Sequence, residues 1–203
     1  MAEVTPTRSA VLDLRAERRG MEEGYRFLDE KRLVLAAELL RELGRYEGAL
    51  ADYRAASQEA YRLLQQASAR HGLEGLQVYP PLRPRNVRLK VTPRSVLGVP
   101  VEDVTLEGYW ETPVAVLASP EGERCRQAFA RLLPLAAHLA ALWGNVERLS
   151  QDYLKTARRA RALEDVLLPE VDRTITEIEV ALEDLDREEA VRLRGGRAAH
   201  PET

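Results

Sequence analysis

The sequence is poor in the residues that cross-link or fill a globular core. Cys125 is its only cysteine, and aromatic residues make up 5% of the 203 residues. A single thiol cannot form an intrachain disulfide, and the paired spacings of zinc and redox motifs are absent. We therefore expect no disulfide in the fold and a reducing, cytoplasmic location.

Long apolar runs and charge of one sign are also lacking. The most apolar stretch, Leu132 to Trp143, is interrupted by His138 and is shorter than the roughly 18 to 20 residues of a membrane span. The first residues do not have the pattern of a signal peptide. Acidic and basic residues are intermixed, with a net charge of -3. We expect no nucleic-acid partner and only indirect contact with a membrane.

The sequence contains no cluster of residues that suggests catalysis. His71, His138 and His200 are far apart in the chain, and neither a P-loop nor a Rossmann glycine pattern occurs. We expect no catalytic residue, no metal and no cofactor.

What the chain does contain is a long apolar stripe at each end. From Leu14 to Ala67, steps of three and four residues land mostly on Leu, Tyr and Ala, which predicts a coiled-coil helix over residues 8–71. Gly72 follows as a candidate C-cap. Three polar residues interrupt the stripe, and they either fix the register or extend to solvent: Arg18, Arg32 and Glu42.

The second stripe runs from Leu132 to Leu185 and predicts a helix over residues 120–194. It contains one four-residue step in place of a three, from Leu167 to Val171, and continues through Thr174. Ser119 and Pro120 suit the start of this helix, and we expect bends at Pro134 and Pro169. A disordered tail is predicted for residues 195–203.

The middle segment, residues 72–119, is rich in proline. Val87 to Val91 and Val99 to Leu106 have the character of strands, which predicts a small β-hairpin. The predicted fold is mainly α: an antiparallel two-helix coiled coil with a hairpin between the helices. The glycine pairs Gly20/Gly24 and Gly44/Gly48 either mark a partner contact or are tolerated.

Several segments resemble the D subunit of V-type and A-type ATPases. RRARALEDVLLP, which ends at Pro169, is similar to that family's RRxNALExVxIP signature. LDREEAVRLRG resembles its EREExFRLK segment, Pro6-Thr7-Arg8 resembles its PTR start, and EEGYRFLDEKRLVLAAEL resembles its KGxxLLKxKRDxLxxEF stretch. Asn86-Val87 and Gly98-Val99-Pro100 are similar to its NV…GVxVP pattern. Ala160 and Arg161 replace the family's Val and Asn.

The resemblance implies a non-catalytic central-stalk rotor of a V/A-type ATPase. Such a rotor transmits torque between the catalytic A/B hexamer and the membrane ring, and its implied partners are the A, B and F subunits and the C/d socket. Candidate hexamer contacts are the arginines near the termini: Arg8, Arg15, Arg18, Arg19, Arg187, Arg192 and Arg194. Candidate contacts with the F subunit or the socket are Asn86, Val87, Gly98, Val99 and Pro100.

Two other functions are compatible with the composition. A free-standing coiled-coil adaptor or scaffold would share every periodic feature described above. A small enzyme or metal protein would require clustered titratable groups, which the sequence does not show.

Overall fold

The computed structural model describes residues 6–77, 79–115 and 118–198. In chain order they form α1 (Arg8–Gln77), β1 (Arg83–Val96), β2 (Val99–Glu111), α2 (Pro120–Ala162), a π-helical segment (Leu163–Leu167) and α3 (Leu168–Ala198). The prediction of two long helices with an antiparallel hairpin between them is confirmed. The first four residues of the predicted tail, 195–198, belong to α3, whereas residues 199–203, including His200, lie outside the described residues.

The helices begin where polar side chains supply caps. The Thr7 hydroxyl accepts a hydrogen bond from the amide of Ala10 at 3.2 Å, and the Ser119 hydroxyl accepts one from the amide of Gly122 at 3.2 Å. In α1, Gly72 leaves the helical conformation with φ 70° and ψ 167°. The helix then resumes as far as Gln77, beyond the predicted boundary at residue 71.

Two compact units divide the described chain. The first comprises residues 6–33 of the N-terminal part together with residues 154–198. Its core consists of Val11 on α1 and three residues of α3, Val171, Ile175 and Ile178, with Leu14, Met21 and Leu182 packed around them. The two helices run antiparallel here, since Arg8 of α1 contacts Asp186 of α3, whereas Arg18, further along α1, contacts Asp172, nearer the start of α3.

The π-helical segment changes the phase of the second stripe. The sequence pattern placed Thr174 on the stripe, but Ile175 is the buried residue at that turn. A π-helical turn accommodates one extra residue, and this segment directly precedes the step from Leu167 to Val171, which is one residue longer than the repeat requires. Neither Pro134 nor Pro169 ends the helix that contains it.

The second unit comprises residues 34–153 and contains the hairpin. The tip of the hairpin packs against both helices of this unit, with Val99 and Val101 contacting Leu35 of α1 and Leu149 of α2. The residues around this core are Leu39, Val96 and Tyr153. The hairpin tip is therefore part of the hydrophobic core of the unit.

The hairpin is longer than the sequence predicted, with strands of 14 and 13 residues. Its two-residue turn, Leu97-Gly98, has positive φ at both positions, as a type I′ turn requires. A bulge interrupts the register between Arg85 and Arg88. Opposite it, Gly108 has φ 123°, and a Cβ there would lie 2.8 Å from the Asn86 carbonyl oxygen, so this position requires glycine.

Across residues 6–77, 79–115 and 118–198, no helix combines the length and apolarity that crossing a bilayer needs.

Candidate functional site

The outer edge of β2 lies against α2 in the second unit. The two-residue turn makes Val96 and Val99 the closing hydrogen-bonded pair, so the pairs Ser95–Pro100 and Pro93–Glu102 fall at non-hydrogen-bonded sites. Both prolines therefore occupy places where the ladder needs no N–H donor. At these sites the backbone groups of β2 point away from β1, and they need partners elsewhere.

Asn145 of α2 supplies those partners. Its side-chain oxygen accepts a hydrogen bond from the Glu102 amide at 2.9 Å, and its side-chain nitrogen donates to the Glu102 carbonyl at 2.9 Å. Arg148 adds a hydrogen bond from Nε to the Pro100 carbonyl at 3.0 Å. Asn145 is 0% exposed. This amide substitutes for a neighbouring strand and fixes the hairpin against α2.

Glu42 is the second buried polar group at this contact. It is 0% exposed, and its carboxylate accepts hydrogen bonds from Arg94 at 2.6 Å, Arg45 at 2.8 Å and Asn145 at 3.2 Å. Arg94 also forms an ion pair with the buried Glu38 at 2.6 Å. One hairpin arginine therefore forms ion pairs with two buried carboxylates of α1. We refer to Glu38, Glu42, Arg94, Glu102 and Asn145 as the hairpin clamp.

The charges around the clamp stabilise each other. The Arg45 guanidinium donates to Asp103 at 2.6 Å, and this hydrogen bond lowers the pKa of the Asp103 carboxyl. The pKa of Arg94 is raised chiefly by its hydrogen bond with Glu38. Both shifts favour the charged form, so removing the partner of Asp103 or of Arg94 would leave its charge poorly compensated.

The base of the hairpin is held by Arg126. One of its nitrogens donates to two carbonyls, those of Pro80 at 3.0 Å and Pro113 at 3.1 Å, and its guanidinium stacks over the Tyr79 ring at 5.2 Å. Arg126 also forms an ion pair with Glu123. A single side chain thus binds the segments that enter and leave the hairpin.

The residues predicted to contact the F subunit or the socket occupy different environments. Asn86 is exposed and Val87 is half-buried at the bulge, while Gly98 lies in the exposed turn and Pro100 is exposed beside it. Val99 differs from the others, because it is 6% exposed and packs in the core of the second unit. Its side chain holds the tip and is not presented at the surface.

The arginines predicted at the N-terminal end pair with α3 within the first unit. Arg8 contacts Asp186 at 3.2 Å, Arg15 contacts Glu179 at 2.6 Å, and Arg18 contacts Asp172 at 2.5 Å. The pKa of Arg18 is raised chiefly by its hydrogen bond to Asp172. Because these pairs cross between antiparallel helices, they favour one register of the first unit.

The other predicted arginines are exposed, and the contacts that three of them make are with residues of their own helix. Arg19 donates to the Arg15 carbonyl at 3.4 Å, Arg187 contacts Asp184 at 2.8 Å, and Arg192 contacts Glu188 at 3.3 Å. Arg194 is exposed near the end of α3. These side chains lie at the surface of the first unit.

The remaining titratable groups form no catalytic arrangement in the described part of the chain. Within it, no group of three or more His, Cys, Asp or Glu side chains is placed to hold a metal ion. His71 is hydrogen-bonded to the Ser119 hydroxyl at 2.6 Å. Cys125 is buried, and burial raises the pKa of its thiol above the ordinary value.

Sequence reasoning identified Glu42 but missed its partners. Asn145 follows Leu142 by three residues on the polar side of an amphipathic helix, where asparagine is unremarkable. Arg94 lies among the many basic residues of β1. The only sequence signal was the pair of prolines, Pro93 and Pro100, whose spacing fits alternate sites of a two-residue hairpin.

The fold and its polar contacts define a mainly α-helical coiled-coil protein with a hairpin docked on its helices. A family model for the D subunit of ATP synthases matches residues 10–195. The chain is 31% identical to the D subunit of the V-type ATP synthase of Thermotoga neapolitana, covering 94% of this chain and 95% of the relative. It is 33% identical to that of Anaeromyxobacter dehalogenans strain 2CP-C, covering 99% of each chain.

An archaeal relative gives the same result. The D subunit of the A-type ATP synthase of Thermococcus sibiricus is 30% identical, covering 96% of this chain and 94% of the relative. The chain belongs to the family of ATP synthase D subunits.

Proposed function

We propose that this chain is a non-catalytic central-stalk rotor subunit of a V/A-type ATP synthase. It would transmit torque between the A/B hexamer and the membrane ring, on the cytoplasmic side and peripheral to the membrane. The observation that carries the proposal is the family match over residues 10–195. The cross-helix ion pairs of the first unit support it, because they would resist sliding of one helix along the other.

The proposal assigns the hexamer contact to the helix ends of the first unit. Arg187, Arg192 and Arg194 are exposed, and the ion pairs that Arg187 and Arg192 make stay within α3. Arg8, Arg15, Arg18 and Arg19 would contribute through their exposed sides while holding the register. Contacts that differ between the three catalytic interfaces would favour a different nucleotide state at each.

The test is assembly and coupling in the purified complex. We expect a tagged chain to co-purify with the A, B and F subunits, and we expect truncation after Leu185 to reduce recovery of A and B. A truncation that removes only residues 199–203 is the matched control. Undiminished recovery and ATPase coupling after the longer truncation would contradict the hexamer assignment. A chain that assembles with neither A nor B would instead support a free-standing adaptor.

The contact with the F subunit or the socket is assigned to the exposed hairpin residues Asn86, Gly98 and Pro100 and to the half-buried Val87. A deletion from Arg88 to Leu106 should reduce co-purification of F. Because the deletion also uncovers Leu35 and Leu149, the variant Leu35→Ser serves as a control for the loss of packing alone. Binding of F that survives the deletion would remove this assignment.

A further inference from the structure

A groove of about 470 Å³ lies between α1 and α2 in the second unit. Its floor is formed by three half-buried apolar residues, Ala56 and Leu63 of α1 and Ala128 of α2. Two of them are alanine, which fills less of the space between paired helices than the leucine common at such positions. The helices therefore leave a hollow there, and its volume falls within the roughly 300–1,000 Å³ range of small-molecule sites.

Hydrogen-bond donors line the sides of the groove: Arg62 and Gln66 on α1, and Arg124, Gln127 and Arg131 on α2. Arg124 and Arg131 are seven residues apart, so their Cα atoms are separated by roughly 10 Å along one side of α2. Arginine and glutamine carry N–H groups that match the oxygens of an anion. The lining therefore indicates an anionic ligand.

The acidic groups at the groove are already bound to other arginines. Glu59, the carboxylate among the lining residues, accepts hydrogen bonds from Arg62 on both of its oxygens, at 2.6 and 2.7 Å. Glu121, whose charge interacts with that of Arg124, forms an ion pair with Arg70 at 3.2 Å. Neither carboxylate is hydrogen-bonded to the arginines that α2 contributes to the groove.

Arg124 and Arg131 keep their charges unpaired. Both are exposed, and across residues 6–77, 79–115 and 118–198 neither has a hydrogen-bond or ion-pair partner. Arginines of the hairpin are arranged differently, since Arg85 and Arg88 each pair with an acidic residue of β2. Two uncompensated positive charges therefore lie along one side of the groove, in a chain whose net charge is -3.

A smaller hollow of about 310 Å³ adjoins the groove at the base of the hairpin. The two share Gln127 and Arg131, and the smaller one is also lined by Leu82 and Trp110. An aromatic ring offers a face on which a planar base can stack. A ligand whose anionic part occupies the groove can therefore extend an aromatic part toward Trp110.

The dimensions of the groove favour a phosphate chain over an acidic protein segment. Over about 10 Å an extended peptide places about three residues, and alternate side chains point away from the surface that it follows. Few carboxylates would then reach the arginines. A triphosphate carries its charges at closer spacing, and a phosphate can accept two parallel hydrogen bonds from one guanidinium.

We infer that this groove is a binding site for a phosphate chain, either an inorganic oligophosphate or the triphosphate of a nucleotide. The guanidinium groups of Arg124 and Arg131 bind the two ends of the chain. The amides of Gln66 and Gln127 donate to the oxygens between these ends. When the ligand is a nucleotide, its base stacks at Trp110. The site does not depend on the rotor proposal, because it requires no partner subunit.

The test is isothermal titration calorimetry of the isolated full-length chain at low ionic strength. Sodium tripolyphosphate and ATP are titrated separately, without a divalent cation. We expect one equivalent of each to bind, and we expect the affinity to fall as salt is added, because the charges are exposed. Tighter binding of ATP would assign the site to a nucleotide, and equal binding would assign it to the phosphate chain alone. Either result supports the inference.

Substitutions separate a formed site from a diffuse positive surface. Arg124→Gln and Arg131→Gln should each weaken tripolyphosphate binding about tenfold or more, as loss of one charged hydrogen-bonding group does. Arg54→Gln is the matched control, because Arg54 is an exposed arginine of the same unit that does not line the groove. Ala128→Leu fills the floor without changing the charge, and it should also weaken binding.

Circular dichroism of each variant checks that the fold is retained. Absence of binding of both compounds at about 1 mM would overturn the inference. An equal loss of affinity in Arg54→Gln, or full affinity in Ala128→Leu, would do the same. Tighter binding of a hexaglutamate peptide than of tripolyphosphate would assign the groove to an acidic protein segment and would also overturn it. The titrations use no A or B subunit, so failure of the rotor proposal is distinguishable.

Discussion

Replacing Asn145 with alanine tests the hairpin clamp directly. The side chain makes four hydrogen bonds: two with the backbone of Glu102, one to the carboxylate of Glu42 and one from Arg148 at 2.8 Å. The substitution leaves the Glu102 amide and carbonyl without a protein partner and removes one of the three donors to a fully buried carboxylate. Water can enter only where the smaller side chain leaves space.

The loss can be worked from the kinds of bond involved. A neutral hydrogen bond contributes about 1 kcal/mol and one to a charged group about 1.5–3 kcal/mol, so Asn145→Ala should cost about 3–5 kcal/mol after partial rehydration. Urea unfolding followed by circular dichroism measures this loss. Gln151→Ala on the same helix is the control, since Gln151 is exposed and makes only a 3.4 Å bond to Glu147. We expect its effect to stay within about 0.5 kcal/mol.

Hydrogen exchange distinguishes the clamp from a general loss of packing. The Glu102 amide is protected by Asn145, whereas the amides of Val101 and Asp103 face β1. In Asn145→Ala, exchange at Glu102 should accelerate more than exchange at its two neighbours. Equal acceleration at all three positions, or unchanged protection of Glu102, would refute the reasoning.

Three further predictions follow from other contacts. Gly108→Ala should destabilise the protein by about 2–4 kcal/mol in thermal unfolding, because residue 108 has a positive φ and lies close to the Asn86 carbonyl. The control Gly48→Ala, in an exposed and open part of α1, should stabilise the protein by about 0.5–1 kcal/mol. Equal effects of the two substitutions would argue against the bulge. Arg126→Met should make the segments flanking the hairpin more susceptible to limited proteolysis, and an unchanged cleavage pattern would contradict its role. Because Arg45 lowers the pKa of Asp103 in the folded state, Asp103 contributes stability that is present above its unfolded pKa of about 3.9 and is lost as pH falls through the lower folded value. Asp103→Asn should therefore make the free energy of unfolding depend less on pH in that acidic range. An unchanged slope would exclude the contribution.

Periodicity predicted the helices well because the burial of each stripe repeats locally. Leu35, Leu142 and Leu149 are buried where the pattern indicated an apolar face. The pattern failed at Thr174, since one extra residue in a π-helical turn is not distinguishable from an imperfect step until the backbone is known. Ile175 took the buried place.

The strands were underestimated because their ends look like loops in the sequence. β1 contains Pro84 and Pro93 among arginines, and proline ordinarily ends a strand. The hairpin tolerates Pro93 because its pair with Glu102 is a non-hydrogen-bonded site. That tolerance depends on register, which a single strand sequence does not reveal.

The polar contacts of the candidate site could not be read from local spacing. Glu42 is hydrogen-bonded to Asn145, which is 103 positions away in the sequence, and to Arg94, which is 52 positions away. The sequence therefore left open whether the Glu42 charge extends to solvent or fixes the register. Burial with three donors favours the second alternative. Arg18 was open in the same way, and its partner Asp172 lies 154 positions away.

The placement of two prolines also restricts how the hairpin can misfold. A slip of one residue between β1 and β2 would turn the inward backbone groups of one strand outward. Either Pro93 or Pro100 would then face its neighbour with no hydrogen to donate, and Val99 and Val101 would exchange places with polar side chains. A wrongly aligned ribbon is thus penalised twice, in its ladder and in its core. Correct strand alignment is therefore favoured both by the hairpin's own hydrogen bonds and by its packing on α1 and α2.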